Sequence, residues 1–148
     1  MQNTTIHIKR ELQLTADGSH TLFIPEMDEH YHSVNGAVQE SRHVFIEAGL
    51  HHLERREITI LEIGFGTGLN AFLTLLDAEA CQRKIHYCSI ELYPLGTDVI
   101  ESLNYGEMLC AGRKDVFHAL HQAEWNVAVQ VTEFFELHKI QGDSNTCA

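Results

Sequence analysis

The sequence predicts an α/β fold: a parallel sheet built from β–α–β units, preceded by an N-terminal β-hairpin. Three observations lead to it. Residues 58–63 are a short β-branched run without a helical stripe, residues 85–90 read as a second strand, and residues 69–80 between them carry a helical stripe. From residue 58 onward the order is strand, glycine loop, helix, strand, helix, strand, an alternation that right-handed crossovers turn into a parallel sheet. Ahead of it, Asp17-Gly18 separates two apolar runs, a strong short-range hairpin signal.

Along the chain, residues 6–14 alternate with period two and residues 21–24 form a second run, a hairpin that Pro25 stops. Residues 28–36 are polar and read as a loop. Val38, Phe45, Ala48 and Leu53 then recur at helical spacing. Residues 58–63 read as a buried strand that ends at Gly64. In the helix over 69–80, Leu69, Phe72, Leu73, Leu76 and Ala80 share a face. Residues 85–90 form the next strand, ended by Glu91 and Pro94. Helices come next over 97–109 and 115–123, separated at Gly112, and residues 127–140 supply one or two strands that close on Asp143. This divides the chain into a hairpin-and-helix extension, residues 1–57, and an α/β part, residues 58–148. Three core strands are few for an open doubly wound sheet, so the sheet is expected to be truncated after the third.

The 148 residues are 44% hydrophobic, enough for one domain with a buried core. No apolar run approaches the ~20 residues of a membrane span. The polar N-terminus is no signal peptide, and a cytoplasmic location is expected. Twenty-one acidic against ten basic residues give a formal charge of −11, which argues against broad nucleic-acid binding and leaves room for a local basic groove. Cys81, Cys88, Cys110 and Cys147 form no Cys-x-x-Cys pair and read as reduced packing residues. His30, His32 and His43 lack the carboxylate or Cys spacing that completes a metal site, so no metal is expected. His51 and His52 suit a helix C-terminus. Tyr93, Phe134 and Phe135 read as core or rim aromatics, and Glu54-Arg-Arg-Glu57 as a solvated charge cluster.

The sharpest feature is Glu62-Ile-Gly-Phe-Gly-Thr-Gly-Leu-Asn70 at a strand-to-helix junction. Glycines there let the chain turn tightly and let a ligand approach where a Cβ would collide. A dinucleotide fingerprint needs a glycine at position 69, where Leu69 stands, and a Walker loop needs a Lys that is absent. Glu62 would repel a phosphate and suits a cationic ligand. S-adenosylmethionine carries a sulfonium and an ammonium, with a carboxylate that can sit at a helix N-terminus. Glu91 ends the next strand, where an acid commonly takes ribose hydroxyls in Rossmann-like sheets, and Asp143 falls on the same rim.

Glu62-Ile-Gly-Phe-Gly-Thr-Gly-Leu-Asn70 resembles the first motif of class I methyltransferases, in the narrower form of the MnmC/MnmD tRNA-modifying family. Two further stretches are similar to that family: Tyr31 to Phe45, with its Ser33, Gly36, Glu40-Ser and Val44-Phe landmarks, and Ser89-Ile-Glu-Leu-Tyr-Pro-Leu95. The resemblance implies a Rossmann-like methyltransferase fold and methylation of the aminomethyl group on the wobble uridine of tRNA. S-adenosylmethionine is the implied donor and an FAD-dependent oxidase domain, fused or separate, the implied partner. It places Glu62, Gly64, Phe65, Gly66, Thr67, Gly68 and Asn70 around the methionine moiety, Glu91 on the ribose and Asp143 near the adenine. Tyr31, Ser33 and Glu40 line the approach to the donor. The family's favoured catalytic carboxylate lies on a later strand, beyond residue 148, so this stretch by itself is expected to be inactive. A non-catalytic module that binds the same cofactor, and a methyltransferase acting on a protein or small molecule, are the rival readings. A nicotinamide-dependent oxidoreductase comes third.

Overall fold

The structure, a computed structural model, describes residues 8–142. β1 (Glu11–Leu14) and β2 (His20–Ile24) pair antiparallel around a turn centred on Asp17-Gly18. The side chains of that turn do more than reverse the chain. Thr15 Oγ1, Ser19 Oγ and Asp17 Oδ2 accept the backbone N–H groups of Ala37, Val38 and Gln39 at 3.1, 3.1 and 2.9 Å. These are the first N–H groups of α1 (Ala37–Ser41), which the helix itself leaves without partners. Burial opposes ionisation of Asp17, yet its bonds from Ser19, Gln39 and Thr15 outweigh burial and hold its carboxyl down at about 2. The hairpin is thereby docked on the helix that leads toward the glycine loop.

Residues 28–36, expected to be loop, contain β3 (Glu29–His30), which pairs with β2 through Phe23↔His30. A tight turn after Pro25, with Asp28 at φ 51°, brings these two polar residues to an exposed sheet edge, where they are tolerated. α1 continues as a π-helical stretch (Arg42–Glu47) and a 3-10 turn (Leu50–His52). The Ala48 N–H reaches back five residues to the His43 carbonyl at 2.9 Å. This wider turn changes the helical phase, so Ile46 and Leu50 are buried while Ala48 and Leu53, expected on the buried stripe, are exposed.

The main sheet comprises β4 (Glu57–Ile63), β5 (Lys84–Glu91), β6 (Ala128–Thr132) and β7 (Phe135–Gln141), in the order β4-β5-β7-β6. β4, β5 and β7 are parallel, and β6 is antiparallel to β7. The sheet is therefore mixed rather than wholly parallel, because a connection as short as Glu133-Phe134 permits only a hairpin. The sequence pattern of β4 predicts burial on both faces. Ile58 and Glu62 are buried, but Leu61 and Ile63 on the opposite face are 60% and 65% exposed, since β4 is an edge of this sheet among the described residues. Among these residues no helix is long and apolar enough to cross a membrane.

α2 (Leu69–Cys81) packs against β5, α5 and the π-helical stretch at once, so its buried surface is wider than one stripe. Ala71, Thr74, Leu75 and Ala78 join Leu69, Phe72 and Leu73, whereas Leu76 is half-buried and Ala80 exposed. The helix expected over 97–109 is two, α3 (Thr97–Ser102) and α4 (Tyr105–Cys110). Asn104 interrupts it because its side chain is committed elsewhere: its Oδ1 accepts the His20 N–H and its Nδ2 donates to the Gly18 carbonyl, both at 2.9 Å. In place of a break at Gly112, a 3-10 turn (Ala111–Arg113) runs into α5 (Lys114–Gln122). The core centres on Phe72, Tyr105 and Phe117, whose rings meet at 5.4 and 6.0 Å. Of the cysteines expected to pack, Cys81 is exposed at the end of α2 and Cys88 and Cys110 are half-buried. Cys147 and Asp143 lie outside the described residues.

His86 joins three adjacent strands: its Nε2 lies 2.7 Å from Glu57 Oε1 and its Nδ1 3.4 Å from Glu136 Oε1. Hydrogen bonds that the imidazolium donates to Glu57 first, and then to Glu136, raise its pKa above the ordinary 6.5. A raised imidazole stabilises the fold fully below the unfolded value and loses that contribution as pH rises through the folded one. Thermal melts should therefore show a small loss of stability as pH climbs past 6.5, and His86→Gln should remove that component. An identical pH profile in the variant would place the dependence elsewhere.

Candidate functional site

A cleft of about 530 Å³ opens at the carboxyl end of β4. Tyr31, His32, Glu40 and Phe45 form one wall, and residues 61–67 with Asn70 form the other. Thus Tyr31 and Glu40 reach the cleft, while Ser33 lines a neighbouring depression with Gly36 and His43.

The loop adopts left-handed backbone at Gly64, Gly66 and Gly68, with φ of 89°, 55° and 77°. Two of these positions are also closed by contact. A Cβ at Gly66 would stand 3.2 Å from the Tyr31 ring, and one at Gly68 2.8 Å from His121 Nε2. At Gly64 a Cβ would point into open space, which makes this glycine the floor of a cradle. Gly68 is the N-cap of α2, so the first-turn N–H groups of a 13-residue helix point back toward the loop, where Thr67 Oγ1 accepts that of Leu69 at 3.4 Å.

Glu62 is 9% exposed and its carboxylate is held from two sides. Ser89 Oγ donates to Oε1 at 2.9 Å and Asn70 Nδ2 donates to Oε2 at 3.2 Å. Burial pushes its pKa up to about 7, against the pull of these donors and with a further upward push from Glu91. The Tyr87 hydroxyl is buried beside it without a regular hydrogen bond. Asn70 Oδ1, on a residue lining the cleft, is buried and has no partner. At the end of β5, Glu91 Oε1 accepts the Gly66 N–H at 2.8 Å and its Oε2 accepts the Tyr93 N–H at 3.4 Å. The acid thus shapes the loop directly.

Four residues support the loop through partners distant in sequence, and no local pattern marks them for that role. His32 Nε2 lies 2.6 Å from Thr67 Oγ1, and His121 Nε2–H donates to the Thr67 carbonyl at 2.8 Å. Burial drives both imidazoles down to about 4, so both are neutral. Arg10 Nε donates to the Tyr31 hydroxyl at 2.8 Å and its Nη2 to the Tyr93 carbonyl at 3.2 Å, tying the two sides of the loop together. Lys139 lies buried behind Phe65.

The histidines weighed as metal ligands have separate partners: His30 Gln13, His32 Thr67 and His43 Glu47. A different group, His51, Asp77 and Cys81, brings its ligand-type atoms within 4.8 Å of one another. Asp77 is already engaged there, 2.6 Å from His51 Nε2 and 3.6 Å from Arg83 Nη2. Arg83 also donates to the Leu50 and Leu53 carbonyls, so the group fastens the 50–53 turn to the end of α2.

No family model matches the chain. It is 36% identical over 99 residues to the tRNA 5-methylaminomethyl-2-thiouridine biosynthesis bifunctional protein MnmC of Magnetococcus marinus, a match covering 63% of this chain and 14% of that protein. The MnmC of Cupriavidus necator is 32% identical over 114 residues, 72% of this chain and 17% of its own length. The crystal structure of MnmC2 from Aquifex aeolicus resembles the fold with a TM-score of 0.67 at 27% identity, over 95% of this chain. The chain is MnmC-like. The MnmC-like chain spans less than a fifth of these two curated relatives and 45% of the Aquifex chain. Its α/β architecture with a mixed sheet resembles that solved structure.

Proposed function

We propose that the MnmC-like chain is the cofactor-binding part of a Rossmann-like class I methyltransferase. It takes S-adenosylmethionine as donor and, in the protein it serves, methylates the aminomethyl group on the wobble uridine of tRNA. Residues 58–148 are assigned as the cofactor part and residues 1–57 as the extension that contributes Tyr31, His32, Glu40 and Phe45 to the cleft wall, and an oxidase domain, fused or separate, is the partner. The observation that carries this reading is the pairing of the Glu62 carboxylate with the unpartnered Asn70 Oδ1 beside a glycine cradle. Two acceptors in a cleft with a half-neutral acid fit an ammonium and disfavour a phosphate, and the start of α2 fits a carboxylate.

The bound cofactor supplies a methyl group made electrophilic by its sulfonium. The chain's own residues bind, orient and exclude water. Glu62 ionises fully when a cation arrives, since a positive neighbour lowers a pKa that burial has raised. Tyr31 and Phe45 line the cleft, and attack requires the neutral amine, the only form with a lone pair, which loss of water from the mouth on substrate docking favours. Glu40 lies on that approach.

Calorimetric titration with S-adenosylmethionine tests the reading, with NAD as the contrasting ligand. Saturable binding of the first alone supports it, and binding of NAD alone overturns it. Glu91→Ala should weaken S-adenosylmethionine about tenfold or more, because a charge-assisted hydrogen bond contributes roughly 1.5–3 kcal/mol and the Gly66 N–H loses its acceptor as well. Glu91→Gln keeps an acceptor for Gly66 and should fall between. Wild-type affinity in Glu91→Ala would make this acid a loop end with no ligand.

A further inference from the structure

Lys139 is 1% exposed, and burying an ammonium without a carboxylate is costly. It stands in β7 in a row of one sheet face: Glu62 is registered opposite Ser89, and Ser89 opposite Lys139. Its Nζ donates to the His121 carbonyl at 2.8 Å and lies 4.5 Å from the centre of the Trp125 ring and 5.4 Å from that of Phe65. The His121 carbonyl belongs to the last turn of α5, where a cation satisfies an acceptor that the helix leaves free. Desolvated cation–ring contacts offset part of the remaining cost.

Both arms of this arrangement end on the glycine loop. Phe65 sits between Gly64 and Gly66, and its ring meets His121 and Trp125 edge-on at 5.4 and 6.3 Å. His121, whose carbonyl Lys139 holds, donates its Nε2–H to the Thr67 carbonyl and stands against Gly68. We propose that Lys139 is a positioning residue: its buried ammonium, shared among Trp125, Phe65 and the His121 carbonyl, sets the glycine loop in the geometry that receives the cofactor. This role rests on the cofactor reading of the cleft.

Burial brings the Lys139 ammonium down to about 8. At mildly alkaline pH the charge and its contacts with the Trp125 and Phe65 rings are therefore lost, the hydrogen bond to His121 weakens from charge-assisted to neutral, and the clamp loosens. Two buried imidazoles near the loop, His121 and His32, are neutral throughout that range. His118 on α5 and Glu91 at the end of β5 also face this region. Glu62 ionises near 7 and favours a cationic ligand above it. Affinity for S-adenosylmethionine should therefore rise through about pH 7 and fall above about pH 8. Trp125, the single tryptophan of the chain, reports the same event without ligand.

The experiment tracks Trp125 emission across the mildly alkaline range on either side of about pH 8, and S-adenosylmethionine affinity over the same range, in the wild type, Lys139→Arg and Lys139→Met. Arginine stays charged throughout and methionine is never charged. The wild type should show an emission transition near pH 8 that both variants lack. Lys139→Arg should lose the alkaline fall in affinity that Lys139 causes, and Lys139→Met should bind about tenfold more weakly at about pH 7.5. A wild-type emission transition that persists in Lys139→Arg, or is absent altogether, overturns the proposal, as does an unchanged alkaline limb in Lys139→Arg. If the wild type shows the transition yet binds no S-adenosylmethionine, the cofactor reading fails and with it the role in receiving that cofactor, while the clamp itself stands.

Discussion

Gly66→Val should abolish S-adenosylmethionine binding, with affinity lowered by at least ~100-fold. Three costs coincide at this position. Valine at φ 55° is strained by its own branching, its Cβ meets the Tyr31 ring at 3.2 Å, and any shift that relieves the clash draws the Gly66 N–H from Glu91. Tyr31 has little room to yield, because Arg10 holds its hydroxyl and its backbone N–H donates to the Leu22 carbonyl. Gly112→Ala, where a Cβ meets nothing, is the matched control. Calorimetry on both variants, with circular dichroism to verify the fold, decides the matter. A folded Gly66→Val protein with wild-type affinity would move the site away from the loop.

Glu62→Gln should have opposite effects on stability and binding. The Glu62 carboxyl is raised from 4.5 to about 7 in the folded state. A raised carboxyl favours folding fully below 4.5, and that contribution is lost as pH rises through about 7. At about pH 8 the wild type therefore carries the whole penalty of a buried carboxylate, on the order of 3 kcal/mol. A glutamine never ionises; its carbonyl oxygen accepts from Asn70 Nδ2 and its NH2 donates to Ser89 Oγ once that hydroxyl turns to accept. Glu62→Gln should thus be more stable than the wild type at about pH 8 and close to it at about pH 4.5. It should also bind S-adenosylmethionine at least about tenfold more weakly, since a charge-assisted contact to the ammonium is gone. Denaturant melts at the two pH values, and calorimetry at the higher one, measure both effects. A variant less stable at the higher pH with full affinity would show that Glu62 is a structural hydrogen-bond hub. The expected trade of stability for binding is a common property of buried acids at functional sites.

Local chemistry made much of this protein legible in its sequence. Asp17-Gly18 determines a hairpin because few dipeptides adopt its turn, and the β-branched run at 58–63 favours a strand over a helix. Gly64, Gly66 and Gly68 mark the loop because each occupies left-handed backbone, a property of the residue and not of its surroundings. The acids at the strand ends come from the same logic, and Glu62 and Glu91 do flank the loop.

Tertiary structure alone decided the rest. No local pattern announces that a π-turn at residues 42–47 will expose Ala48 and bury Leu50, or that β6 will run against β7. The use of turn side chains 15–19 to cap a helix starting at residue 37 depends on docking across a long stretch of intervening chain. The same is true of the loop's support. In the sequence His32 stands out only as one of three histidines without metal-ligand spacing, nothing marks His121 or Lys139, and only packing brings them behind Thr67 and Phe65 and strips them of water. A sequence records which groups can ionise, whereas burial, which shifts Glu62 up and Lys139 down, is a property of the folded whole.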